Sequence, residues 1–484
     1  MILSSFLIFA ATFTRPMERV SSMDPIQAEA VYDCRAVNLV YETPLEIDYT
    51  ARPYRLVPGL CELPRVSEDG LVYRFELVRN SPVNSSDIKR NLDRLRDVKN
   101  VSPGGWTMKA VDSIETEGDE MLVIRLKYPQ RVFPWMLAMS YSSVRLESGE
   151  GTGPYKLTKW WKGHEMVFDR NPDWRGWEKN TSGFDRVRYL VIDDVSTQWL
   201  MFLKGEIDML GEISRDNWDA IIDGEGGLDK SLVDKGVELH GMPKLEVAYV
   251  GFNMNDPVVG RNKYLRQALN AAFDYPTWEK FYNHRIVRAD GPVPYGVQDK
   301  SDKPFPYACD LEKAKELIAK AGYPNGIDPE TGRRLTLTLT IGRPTQDSRE
   351  SGELMASFFE KIGVKLELQF MTWDAFLRAV NESRVQMYRM AWVGDYPDAE
   401  NFLQLFHSAN VSPGANHSNY RSSEYDAAFD GLDYEKCQEI LREDCPWIYT
   451  HFSKAYTLLR PVVKNYIPSD FPYGQEKWYE KSVP

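Results

Sequence analysis

The sequence predicts an α/β protein built from more than one lobe. Two observations carry this. Between Leu335 and Val393 the apolar residues switch between a two-residue and a helical period, giving strand, helix, strand, helix, strand with short connections. The chain also has 484 residues, enough for about three domains or two large lobes at about 150 residues each. Hydrophobic residues make up 43% of it, which supplies a core and excludes general disorder.

The elements follow in chain order. Ile2 to Phe13 reads ILSSFLIFAATF. Its length suits the apolar part of a secretion signal, but it lacks a basic start and a small-x-small cleavage site. The other reading is a buried first strand, favoured by Thr12, Phe13 and Thr14. Leu71–Leu77 follows the Ser67–Gly70 turn as a strand, and Ser86 or Asp87 caps a helix carrying Ile88, Leu92 and Leu95. Gly151-Thr-Gly-Pro154 turns the chain into strands at Tyr155–Trp160 and Glu165–Arg170, joined at Lys162-Gly163. Val187, Tyr189 and Val191 mark another strand. Ser196 then caps a helix with Trp199, Leu200 and Leu203 as its apolar stripe. Leu265, Ala268, Leu269 and Ala272 fall at helical spacing. Asp310 caps a helix carrying Leu311, Ala314, Leu317 and Ile318, closed by Gly322 and Pro324.

In the most legible stretch, Leu335, Leu337, Leu339 and Ile341 alternate with threonines, and Val364, Leu366, Leu368 and Phe370 alternate again. Between them a helix carries Leu354, Met355, Phe358, Phe359 and Ile362. Thr372 caps another with Trp373, Phe376, Leu377 and Val380, and Val385–Val393 is a third strand. Right-handed crossovers and a largely parallel sheet are expected. In such sheets ligands sit beyond the carboxyl ends of the strands. The segment in that place is Gly394-Asp-Tyr-Pro-Asp398, a loop with two carboxylates and an aromatic ring. A solvated turn in which Asp395 caps the next helix is the plainer reading of the same residues.

Composition narrows the function. Lys and Arg number 59 against 71 Asp and Glu, a net charge of −12, which argues against a nucleic-acid footprint and against docking on an anionic membrane. No apolar run reaches the about 20 residues that span a bilayer. The five cysteines (Cys34, Cys61, Cys309, Cys437, Cys445) show no CxxC, and their odd number excludes complete internal pairing. Cys437 and Cys445 on one helix would lie about 12 Å apart along it, too far for a bridge. None of the six histidines has a metal-binding spacing; His407 and His417 flank one loop. No cofactor, resident metal or catalytic group is expected.

Several segments in order resemble the family 5 extracellular solute-binding proteins, the peptide and nickel receptors of ABC importers. These are Gly151-Thr-Gly-Pro-Tyr155 with Arg170-Asn-Pro-Asp173; Gly251-Phe-Asn253, Tyr264-Leu-Arg-Gln-Ala268 and Ala271-Ala-Phe-Asp274; and Gly291-Pro-Val-Pro294. The helix Asp310–Gly322 with Tyr323-Pro324 and the run Trp392-Val-Gly-Asp-Tyr-Pro-Asp398 with Asn401-Phe402 complete the set. Met23-Asp24-Pro25, Tyr41-Glu42 and Asp69-Gly70 match weaker positions. Ala391 stands where the family has glycine, and the stretch from Tyr420 to Cys445 is short.

The resemblance implies a two-lobed periplasmic-binding-protein fold (type II, cluster C-like) with a hinge. Lobe I would comprise residues 1–45, 150–252 and 450–484, with 46–149 as its extra subdomain; lobe II would be 253–449. Gly251-Phe-Asn253 and the chain near His451 would form the hinge. The implied function is capture of di- or oligopeptides between closing lobes, in the periplasm or outside the cytoplasmic membrane, by a monomer that delivers them to the membrane permease of an ABC importer. Asp395 would hold the peptide amine. Arg389 would face its carboxylate or a structural acid, Trp392 and Tyr396 would wall the pocket, and Asn416 and Asn419 would add hydrogen bonds. A receptor for oligosaccharide or a nickel chelate is the alternative within the family. A hydrolase using Asp395 and Asp398 is the alternative outside it.

Overall fold

The computed structural model describes residues 11–482 apart from 18, 29, 212, 214, 223–226, 308, 343–344 and 472. The chain divides into two compact units: residues 1–242 with 456–484, and residues 243–455. Ile2–Ala10, where the sequence left a signal or a strand open, lie outside the described residues.

Unit 1 is organised by a four-stranded sheet. Its strands are β1 (Thr12–Met17), β2 (Tyr155–Trp161), β3 (Glu165–Arg170) and β4 (Arg186–Val191), in the order β1-β4-β3-β2. β1 runs parallel to β4 and the other pairs are antiparallel. Phe13, Met17, Val187 and Tyr189 share the inner face and join α1 (Val31–Val40) through Ala36, Val37 and Val40 in one core. Residues 65–126 form a separate antiparallel four-stranded sheet beside α2 (Ser85–Arg96). That helix is capped by Asn84, whose side chain accepts from Asp87 N–H; Ser86 and Asp87 lie inside its first turn, where the sequence had placed the cap.

The next helix, α3 (Val195–Lys204), corrects the sequence twice. Asp194 rather than Ser196 caps it, and Gln198 and Phe202 are buried, whereas Leu200 and Leu203 are 56% and 43% exposed. Phe202 sits with Ile207, Leu210 and Trp218 in a small core of its own. That packing fixes the rotation of the helix, which a short stripe of three apolar residues does not.

β5 (Glu238–Phe252) leaves unit 1 and enters unit 2. There it joins β6 (Thr336–Gly342), β7 (Lys365–Met371), β8 (Met387–Val393) and β9 (Trp447–Leu459), the last of which returns the chain to unit 1. The sheet order is β9-β5-β8-β6-β7. β6 is parallel to both β7 and β8, as the strand–helix alternation requires, but β8 is antiparallel to β5. The expectation of a largely parallel sheet is corrected to a mixed one. The parallel part comes from consecutive crossovers, while β5 and β9 are the long connections to the other unit.

The helices of unit 2 include α4 (Lys263–Ala272), α5 (Leu311–Lys320), α6 (Gln346–Glu360) and α7 (Trp373–Asn381). Asp310 caps α5 as predicted, and Ala314, Leu317 and Ile318 are buried, but Leu311 on the first turn faces outward. Leu337, Leu339 and Ile341 of β6 meet Met355, Phe358 and Phe359 of α6 in one core with Leu265, Leu269 and Trp278. All five cysteines are free; Cys437 and Cys445 stand at the two ends of the helix Tyr434–Asp444.

Candidate functional site

The carboxyl ends of β6, β7 and β8 lie at one edge of the unit 2 sheet, as the parallel registers Gly342↔Met371 and Ile341↔Arg389 show. β8 runs four residues beyond Arg389, about 13 Å, before the chain turns at Gly394. A side chain there has no room. A Cβ on Gly394 would lie 2.7 Å from Leu245 Cδ2 and 2.8 Å from Phe402 Cζ. Gly394 N–H donates to Leu245 O at 2.7 Å, which ties the turn to β5.

Asn401, fully buried, organises the loop. Its Oδ1 accepts from Trp392 Nε1–H (3.0 Å) and from Asp395 N–H (3.1 Å), while its Nδ2–H donates to Asp395 Oδ2 (3.3 Å). One amide therefore sets the indole and the carboxylate together. Asp395 reaches water, and among the described residues its carboxylate meets no cation. The protein around it raises its pKa by desolvation, against the pull of the Asn401 hydrogen bond. An exposed anion held in place by Asn401 and without a cation gains by meeting an ammonium group.

The other predicted residues divide. Trp392 is half-buried. Tyr396 is buried, and its hydroxyl donates to Glu400, so it supports the loop and is corrected as a pocket wall; burial first, then the Glu400 charge, drives its pKa well up. Asp398 is also buried, with Oδ1 accepting from Glu400 N–H at 3.0 Å. It turns into its own loop and makes no exposed carboxylate pair with Asp395. Asn416 is wholly buried; its Nδ2 donates to His407 O (3.1 Å) and Tyr420 O (2.9 Å), and its Oδ1 accepts from Ser418 Oγ–H (2.9 Å) and Tyr420 N–H (3.2 Å). Asn419 donates to Ser383 Oγ at 2.9 Å and to Asn253 Oδ1 at 3.4 Å. Asn416 spends both ends of its amide inside the protein, and Asn419 commits its Nδ2 there. No group of three or more metal-ligating side chains occurs among the described residues; His407 faces Asp430 at 3.3 Å and Asp426 at 3.9 Å.

Arg389 is brought to the same strand but not to the same face. Side chains alternate along a strand, so positions 389 and 392 point to opposite sides. Arg389 lies across from Val250 and Trp392 across from Val247. On its own side Arg389 Nη1–H donates to Ser351 Oγ of α6 at 2.6 Å, and among the described residues it has no carboxylate partner. The structural acid allowed for in the sequence is absent from that set.

The same face carries groups that sequence reasoning did not assign to a site. Glu246 accepts from Ser453 Oγ–H (2.6 Å) and Lys244 Nζ–H (3.0 Å). Burial opposes its charge, but Lys244 and Ser453 outweigh it and leave its pKa below the usual value. His451 Nδ1 accepts from Trp278 Nε1–H at 3.2 Å, which places the imidazole proton on Nε2. Burial, and then the Arg389 charge, lower its pKa to about 3. The signal was the polar alternation of Lys244 and Glu246 on β5, unreadable without the register that sets Glu246 beside Val393.

The model of the bacterial extracellular solute-binding proteins, family 5 (middle region), matches residues 55–413. The chain belongs to that family. It is similar to heme-binding protein A of Haemophilus influenzae, with 27% identity over 88% of this chain and 84% of that one. It also resembles the dipeptide-binding protein of Escherichia coli, with 22% identity over 93% and 90% of the two chains. The solved structure of HbpA2 from Haemophilus parasuis superposes with a TM-score of 0.85 at 24% identity, covering 98% of this chain and all (100%) of that one. It shows the shared fold, that of the type II binding proteins expected from the sequence. No helix among the described residues is long and apolar enough to cross a membrane.

Proposed function

We propose that this family 5 protein is the peptide receptor of an ABC importer, holding di- or oligopeptides by their amino terminus at Asp395 and presenting them to a membrane permease outside the cytoplasm. The observation that carries the reading is the exposed Asp395 carboxylate, without a cation among the described residues, fixed together with the Trp392 indole by Asn401. An ammonium donor forms a charge-assisted bond there, and the indole supplies a flat apolar wall for the adjoining residue. Its similarity to a dipeptide-binding protein supports the same cargo. The passages of β5 and β9 across the unit boundary, at 242–243 and 455–456, would act as the hinge.

Binding without turnover is favoured by Asp398, which caps its own loop and leaves Asp395 without a carboxylate partner for glycoside hydrolysis. The test is a titration of the whole protein with peptides of two to six residues, oligosaccharides and nickel chelates, followed by calorimetry. Saturable binding of peptides with a free amine, and their recovery unchanged, is the expected result. Binding of oligosaccharide or nickel chelate alone would reject the reading.

A further inference from the structure

Unit 1 holds a cavity that the Asp395 site does not use, and every residue lining it belongs to that unit. It offers about 560 Å³ of empty space, part of it open to solvent, within the range of small-molecule sites. The last turn of α1 supplies Asn38. The strand Leu45–Asp48 and the residue after it supply Glu46 and Tyr49, and the C-terminal turn Gln475–Trp478 supplies Gln475, Lys477 and Trp478. Gly474 lets that turn close on α1. Its φ is 69°, and a Cβ there would lie 2.5 Å from Asn38 O.

Charge in the cavity is already closed. Glu46 accepts from Lys477 Nζ–H at 2.9 Å through each oxygen, although 431 residues separate the two. Lys477 Nζ lies 5.3 Å from the centroid of the Trp478 ring and 5.6 Å from that of Trp174. The place of a cation, beside an acid and an aromatic face, is thus taken by the protein's own ammonium, and the Glu46 carboxylate disfavours an anion. Hydrogen-bonding capacity is left over. Glu46 keeps 27% of its side chain exposed, and its oxygens have further lone pairs; the Lys477 ammonium has a third proton. The hydroxyls of Tyr49 and Tyr473, both half-buried, make no hydrogen bond among the described residues. Burial, then the charges of Asp48 and Glu46, raise the Tyr49 pKa and keep that hydroxyl a donor. Gln475 Oε1, on a residue 2% exposed, and Asn38 Oδ1 are buried without partners, a state that buried polar atoms seldom keep.

The ligand such a cavity takes is neutral, donates and accepts at neighbouring atoms, and has a flat face for aromatic rings. A sugar ring has all three properties, since each of two adjacent hydroxyls both donates and accepts. We propose that this cavity is a second ligand site, taking a small neutral saccharide whose adjacent hydroxyls bridge Glu46 and Lys477 and whose ring lies against Tyr49 and Trp478. The site is complete within unit 1 and is independent of the peptide reading above.

The experiment titrates the full-length protein with glucose, N-acetylglucosamine, maltose and cellobiose, by calorimetry and saturation-transfer NMR, in the wild type, Tyr49→Phe, Tyr49→Ala and Asp395→Asn. At least one sugar should bind saturably, with Kd below about 10 mM. Tyr49→Phe should weaken it about three- to tenfold by losing one hydrogen bond, and Tyr49→Ala by about tenfold or more. Tyr49→Phe breaks no bond within the protein, so its melting temperature should match the wild type. Asp395→Asn should leave the sugar affinity within about twofold, and saturating Ala-Ala should not displace the sugar. No saturable binding by any of the four sugars would overturn the site. So would an affinity that ignores both Tyr49 substitutions, one that falls in Asp395→Asn, or displacement by the dipeptide. If Ala-Ala does not bind, the peptide reading loses support while the sugar titrations still decide this site.

Discussion

The loop at 394–398 and the loop at 416–420 looked alike as sources of ligand contacts, and the structure separates them. In the second, Asn416 satisfies four partners of its own chain and Asn419 reaches back to Ser383 and Asn253. In the first, Asn401 does the internal bonding and leaves the Asp395 carboxylate without a cation. Polar residues in a turn are a site only when something else has already satisfied the turn.

This contrast can be broken at several points. The largest effect belongs to the saturated loop. Asn416→Ala strands buried backbone groups of His407 and Tyr420, and should lower unfolding stability by about 2–3 kcal/mol in urea titrations while leaving peptide affinity unchanged. Asp395→Ala should do the reverse, weakening peptide binding by about tenfold or more, or about 1.4 kcal/mol, with the melting temperature of the free protein nearly unchanged.

Acid sharpens the same division. Because desolvation raises the Asp395 pKa, it protonates at a higher pH than an aspartate of the unfolded chain, and affinity for a free-amine peptide should fall correspondingly early as pH drops. Stability responds through His451. Its pKa is lowered to about 3 in the fold against about 6.5 in the unfolded chain. The unfolded state therefore binds the extra proton. The contribution of His451 is fully present above about pH 6.5 and falls by about 1.4 kcal/mol per unit on the way down. His451→Gln should flatten that part of the stability–pH curve. The smallest effect is expected for Tyr396→Phe, which removes a buried bond to Glu400 and should shift the peptide dissociation constant by less than about twofold.

Much of unit 2 was legible because its elements carry their own periods. The alternation in β6 and β7 and the Asp310 cap appear where the residues place them. α3 was not, since Phe202 rather than Leu200 or Leu203 finds a core, and that core includes Leu458 from the far end of the chain. The same division holds for the sites. Asp395 stood out because loops at strand carboxyl ends are few. The opposed directions of Arg389 and Trp392 follow from strand alternation, but the partners that give each its role come from other segments. Glu46 and Lys477 are 431 residues apart, and no local pattern announces that they meet.

The central claim is that Asp395 grips an ammonium group. The direct measurement is a thermodynamic cycle by calorimetry, pairing the wild type and Asp395→Asn with one dipeptide and its N-acetylated form. The account predicts that acetylation weakens wild-type binding by about tenfold or more and changes binding to Asp395→Asn by less than about twofold. Equal penalties in the two proteins would contradict it.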